Sequence, residues 1–124
     1  MIGHRVWVIP EGYIPTGSFS ERRDLISHDA ACILNCADTD ATIEITLYFE
    51  DREPVGPYHV RVGARRTLHL RFNDLDQPSP VPRDAPYSSL FKSTTPVFVQ
   101  HTRLDSRDPH IALMTTMAFP VPSA

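Results

Sequence analysis

Apolar and polar residues alternate most strictly over Thr42–Glu50. Ile43, Ile45, Leu47 and Phe49 fall on one side; Thr42, Glu44, Thr46, Tyr48 and Glu50 fall on the other. A period of two predicts a half-buried strand with one wet face. Asp51-Arg52-Glu53-Pro54 ends it in a turn. Tyr58–Val62 and Thr67–Phe72 alternate too, with Tyr58, Val60 and Val62 on one face and Leu68, Leu70 and Phe72 on another. Read as a hairpin, these two strands match their polar faces only if paired residue numbers sum to an even value. That predicts Gly63 opposite Thr67 around the loop Ala64-Arg65-Arg66, with His59 facing Arg71 and Arg61 facing His69.

Arg5–Ile9, Ala31–Cys36 and Pro96–Thr102 are apolar without alternation. Such runs predict strands covered on both faces, by an opposite sheet or by a partner chain. His110–Phe119 fits a strand better than a helix, because Met114-Thr-Thr-Met117 precedes Pro120. Asn73–Pro86 is a loop carrying Pro78, Pro80 and Pro82, after which Asp84 and Pro86 open a one-turn helix over Tyr87–Phe91. Glu11–Asp24 is a second long connection, and residues 120–124 are expected to fray. No segment holds a 3.6-residue period for long, and a proline inside a helix costs about 3 kcal/mol. The expected architecture is a single domain over residues 1–124. It is all-β: an antiparallel, jelly-roll-like β-sandwich of about eight strands with at most one-turn helices.

Composition narrows the function classes. The chain has 12 prolines in 124 residues, roughly double the usual ~5% share. Of its 12 basic residues, Lys92 is the one lysine and the rest are arginines. A net charge of −3 argues against a general nucleic-acid binder, so no DNA partner is expected. The longest apolar runs, such as Val6–Pro10, fall far short of the ~20 residues of a membrane span, and Met1–His4 does not open a signal peptide. With two cysteines and no disulfide framework, the expected compartment is the cytoplasm.

Candidate chemistry is sparse. Cys32 and Cys36 lie about 13 Å apart in a strand, too far to bridge, and read as core cysteines. His4, His28, His59, His69, His101 and His110 form no metal-binding spacing, and arginines flank the pair nearest a cluster, so neither a metal nor another cofactor is expected. Ser27-His28-Asp29 holds triad residue types, but neighbours in a strand face opposite ways and cannot relay to one another. No nucleophile turn or phosphate loop is present, and the chain is not expected to be an enzyme. The richest polar stretches are Arg71-Phe-Asn73-Asp74 and Gln100-His-Thr-Arg103-Leu-Asp105. An arginine's planar fork beside an amide and a carboxylate can hold a sugar, an acid or a peptide end, or can stitch subunits. Taken together as strand-end sets, they read as one binding surface with Tyr13 or His28 above it.

At this point the chain resembles a known family, the soluble sensory rhodopsin transducers. The resemblance rests on Glu11-Gly-Tyr-Ile-Pro15, Ile26-Ser-His-Asp-Ala-Ala-Cys-Ile-Leu-Asn35, Glu53-Pro-Val-Gly-Pro-Tyr58, Ala64-Arg-Arg-Thr67, Arg71-Phe-Asn-Asp-Leu75 and Val99-Gln-His-Thr-Arg-Leu-Asp-Ser-Arg107, in order along nearly the whole chain. It implies a cytoplasmic β-sandwich that assembles as a homotetramer and acts by non-covalent contact with the cytoplasmic side of a sensory rhodopsin. It also implies an alternative: a carbohydrate- or small-ligand-binding module with no rhodopsin partner.

Overall fold

The structure, a computed structural model, describes residues 1–122. Eight antiparallel strands form two layers: β1 His4–Gly12, β2 His28–Asn35, β3 Ala41–Phe49, β4 Val55–Val62, β5 Arg66–Arg71, β6 Tyr87–Asp105, β7 Ala112–Met117 and β8 Phe119–Val121. The helical content among the described residues is two single 3₁₀ turns, Arg23–Leu25 and Phe72–Asp74. The all-β expectation holds.

The first layer runs β4-β3-β6-β1-β8 and the second β5-β2-β6-β7. β6 belongs to both. Its first part, Tyr87–Val97, pairs with β1 and β3; its second, Phe98–Asp105, pairs with β2 and β7. A strand that changes sheets turns the corner of the sandwich. Pro96 marks the corner. Pairing to β3 reaches Ser93 and pairing to β2 begins at Phe98, so proline's missing N–H is required by neither. Odd-numbered residues of β6 from Tyr87 to His101 all point inward, which is the alternation of one unbroken strand. The predicted helix over Tyr87–Phe91 is therefore wrong. Asp84 stands at φ 56 and Pro86 leads straight into the strand, and inward Tyr87, Ser89 and Phe91 pack with period two.

β3 behaves as predicted, with Ile43, Ile45 and Leu47 wholly buried. The hairpin between Tyr58–Val62 and Thr67–Phe72 is not there. β4 pairs with β3, Ala41 opposite Val62 and Ile43 opposite Val60, whereas β5 pairs with β2 in the other layer. Each strand's inward face was legible, but alternation carries no information about which strand lies alongside. Gly63-Ala64-Arg65 is a corner between layers, with the Arg65 N–H bonded to the Ala37 carbonyl. His59 consequently stands opposite Glu44, and His69 opposite Cys32.

The core joins both layers: Trp7 and Ile9 of β1, Ile33 of β2, the β3 row, Tyr58 and Val62, and Phe72, Phe91, Val97 and Val99. Trp7 buries its ring and donates its indole N–H to the carbonyls of His4 and Val97 at 2.9 and 3.0 Å. Gly12 lies against the Tyr87 ring, where an added Cβ would meet ring atoms at 2.5–2.9 Å. Tyr87 is buried and tied by its hydroxyl to Asp29, so the ring cannot swing aside. Gly12→Ala is expected to cost about 1–3 kcal/mol by overpacking, read as a lower urea midpoint at unchanged slope.

Two other expectations are corrected. Phe119–Val121 does not fray but pairs with β1, Val6 opposite Val121; Ser123 and Ala124 lie outside the described residues. The cysteines are not core residues. Cys32 faces outward from β2, half-buried, and Cys36 is exposed, because the inward positions of β2 are Asp29, Ala31, Ile33 and Asn35. The outer faces of the apolar strands are not covered within the chain: Leu34 is exposed and Phe98 half-exposed.

Candidate functional site

Two polar assemblies stand out, one buried and one open. The buried one is built around Asp29, whose side chain β2 turns inward and which has no exposed surface. One carboxylate oxygen lies 2.6 Å from His101 Nε2 of β6. The other accepts the Tyr87 hydroxyl at 2.5 Å and the Tyr13 backbone N–H at 3.1 Å. Arg103 brings its Nε to 3.7 Å from Asp29 and its Nη2 onto the Glu11 carboxylate. Asn73, at the tip of the Phe72–Asp74 turn, accepts the Asp29 N–H at 3.3 Å and donates to the Ser27 carbonyl at 3.1 Å. Burial first, and the charge of Asp29 second, push the Tyr87 phenol well above its ordinary value, so it stays a donor. Asp29 and His101 are both almost inaccessible, so this pair presents nothing to a substrate. What it does is fasten the end of β1, the 72–74 turn and β6 onto β2.

The long connection after β1 is locked in the same region. Asp84 accepts the Thr16 N–H at 2.9 Å and the Thr16 hydroxyl, and those bonds hold its carboxyl below the usual range. Ser27 bonds the Gly17 carbonyl and the Ser106 N–H, and the Phe19 N–H reaches the Ser106 carbonyl at 2.8 Å.

The open assembly lies on the outer face of the second layer. Register places Arg71, Ala30 and Thr102 in one row across β5, β2 and β6, and His69, Cys32 and Gln100 in the next. His28 closes one end, its Nδ1 2.7 Å from the Ile26 carbonyl. The small Ala30 between two long neighbours leaves a groove of about 300 Å³, walled by polar groups and free of carboxylates in its lining. Arg71 donates to the Arg23 carbonyl at 3.0 Å, and desolvation, with the nearby Arg23 charge, lowers the pKa of its guanidinium.

The residues singled out from sequence thus divide. His28 and Arg71 share the outer groove. Tyr13, Asn73 and Arg103 gather around Asp29 on the inner side. Asp74 pairs with Arg23 at 3.2 Å, and Asp105 takes a two-pronged bond from Arg107 at 2.9 and 2.6 Å. They do not form one pocket: Arg71 stands opposite Ala30 and Arg103 opposite Asp29, and consecutive residues of β2 face opposite ways. Ser27, His28 and Asp29 make no relay among themselves, as expected. The true partners of Asp29 come from β6, about sixty to seventy residues along the chain. His69, Gln100 and Thr102 were missed as groove residues, since their convergence needs the β5-β2-β6 order. No group of three metal-ligating residues occurs among the described residues.

Comparison with known proteins gives this architecture a family. The family model described as Anabaena sensory rhodopsin transducer matches residues 2–120. The solved structure of the Anabaena sensory rhodopsin transducer is similar at 51% identity and TM-score 0.75, covering 82% of this chain and 97% of that one. A crystal structure of Thermotoga maritima 1070 is similar at 40% identity and TM-score 0.88, covering 100% of both chains. No curated protein matches. With the family model spanning nearly its whole length, the chain belongs to the Anabaena sensory rhodopsin transducer family.

Proposed function

We propose that the protein is a cytoplasmic adaptor that acts as a homotetramer, by non-covalent binding rather than by turnover, and passes on a signal from the cytoplasmic side of a sensory rhodopsin-like receptor. The observation that carries the reading is the family match over residues 2–120. The surface supports it. β7 is exposed along its whole length and pairs on one side with β6, which leaves its other edge open. Leu113 is 69% and Phe119 63% exposed, and Leu34, Phe98 and Met117 border an apolar hollow of about 270 Å³. Exposed apolar side chains beside an open strand edge are what subunit contacts cover. Among the described residues no helix is long and apolar enough to cross a membrane.

Two measurements test the reading. Sedimentation should show four chains for the wild type and smaller species for a Leu34→Asp, Phe98→Asp double variant. Titration with the cytoplasmic tail of a co-encoded rhodopsin-type receptor should show saturable binding, weakened by salt if arginines contribute. A monomeric wild type removes the assembly, and a tail that does not bind removes the receptor.

The groove around Ala30 favours a second reading, a small-ligand module. Its donors, two imidazoles, a guanidinium, an amide and a hydroxyl, suit a polar ligand of sugar size.

A further inference from the structure

We propose that the outer groove of the second layer binds a small anionic ligand, a sugar-sized molecule carrying a carboxylate or phosphate, with Arg71 as the residue that selects the charge. The inference rests on the small-ligand reading and specifies the ligand's chemistry.

Three adjacent strands set Arg71 and Thr102 about 10 Å apart, on either side of Ala30. A long side chain at position 30 would project into that gap. The floor is therefore a methyl group flanked by donors, broad enough for a single ring. Leu34 of β2 and its β6 neighbour Phe98 lie about 13 Å from Ala30 along the strands, and the apolar hollow they border meets the groove at Cys32 and Gln100.

Charge decides the class. Seven of the eleven arginines pair with a carboxylate among the described residues, Arg52 and Arg65 as well as Arg22, Arg23, Arg61, Arg103 and Arg107. Arg71 makes no ion pair among the described residues; Asp74 and Asp24 act on its charge from a distance, but Arg23 holds the first and Arg22 the second. One Nη1 bond to the Arg23 carbonyl fixes the guanidinium without neutralising it. His28, whose Nδ1–H goes to the Ile26 carbonyl, and His69 bring no negative charge, and no acid lines the groove. A neutral ligand covering Arg71 would strip water from a cation that has no ion-pair partner of its own, a cost that rises with burial. A carboxylate or phosphate offsets that cost and accepts two parallel bonds from the guanidinium. The ligand that fits best is therefore an anion.

Calorimetric titration of the full chain with glucuronate, glucose 6-phosphate and glucose tests this. The expected result is that at least one anion binds tenfold or more tightly than glucose, with amide shifts confined to His28, His69, Arg71 and Gln100. The stronger anion identifies carboxylate or phosphate as the favoured group. Arg71→Gln should abolish the preference while retaining the wild-type circular dichroism. Equal binding of all three at the groove would overturn the anion assignment and leave the small-ligand reading standing. Binding of none would overturn both, and an anion preference that survives Arg71→Gln would overturn the role given to Arg71.

Discussion

Asp29→Ala is expected to destabilise the fold by about 3–5 kcal/mol, because it removes one partner from a buried charged cluster and strands the others. Four groups lose their acceptor or counter-charge: the Tyr87 hydroxyl, the Tyr13 N–H, the imidazole of His101 and the guanidinium of Arg103. The buried Tyr87 hydroxyl and His101 Nε2 lose their bonds outright, whereas Arg103 keeps Glu11 but leaves its Nε, already without a hydrogen-bond partner, further from any acid. A domain's total stability is of order 5–15 kcal/mol, so the loss takes a large share of it. Urea unfolding measures it directly, and a double-mutant cycle with His101→Ala separates the pair from the rest. A loss below about 1 kcal/mol would show that the cluster contributes little beyond what water would supply.

Phe72→Ala is the second large effect, also about 3–5 kcal/mol, the usual range for emptying a buried aromatic site. Phe72 is completely buried, with ring centroids 5.5 Å from Tyr87 and 6.2 Å from Phe91. Its position also anchors the turn that carries Asn73, and Asn73 in turn holds the Asp29 N–H and the Ser27 carbonyl. The variant should therefore show faster hydrogen exchange at the Asp29 amide as well as a lower urea midpoint. Phe72→Leu, which keeps most of the volume, should cost less than about 1.5 kcal/mol. If leucine cost as much as alanine, volume would not be what the site requires, and the ring contacts with Tyr87 and Phe91 would carry the effect.

These two residues show how far the chain could be read unaided. Phe72 was placed on the apolar face of its strand by alternation alone, and it is in the core. Asp29 was visible as part of Ser27-His28-Asp29, and period two ruled out a local relay correctly. It could not be assigned to His101 and Tyr87, because both come from β6 and reach Asp29 only after β2 and β6 pair. β6 itself was split, its first part read as helix from Asp84 and Pro86 and its second as a separate strand. The inward run from Tyr87 to Val97 includes Ser89, Ser93 and Thr95, which hide the apolar period although their side chains are buried.

Wherever side chains repeat every second residue, the sequence by itself determined which face of β3, β4 and β5 turns inward, that the protein is all-β, and, through ordered motifs, its family. Those properties depend on neighbours along the chain. Tertiary structure alone decided that β4 and β5 lie in different layers, that β6 serves both, and that Arg71 and Arg103 face opposite ways. The reason is that strand pairing is a contest among all strands with compatible faces. Backbone hydrogen bonds are the same for every competitor, so the outcome depends on packing between layers, which alternation along one strand does not encode.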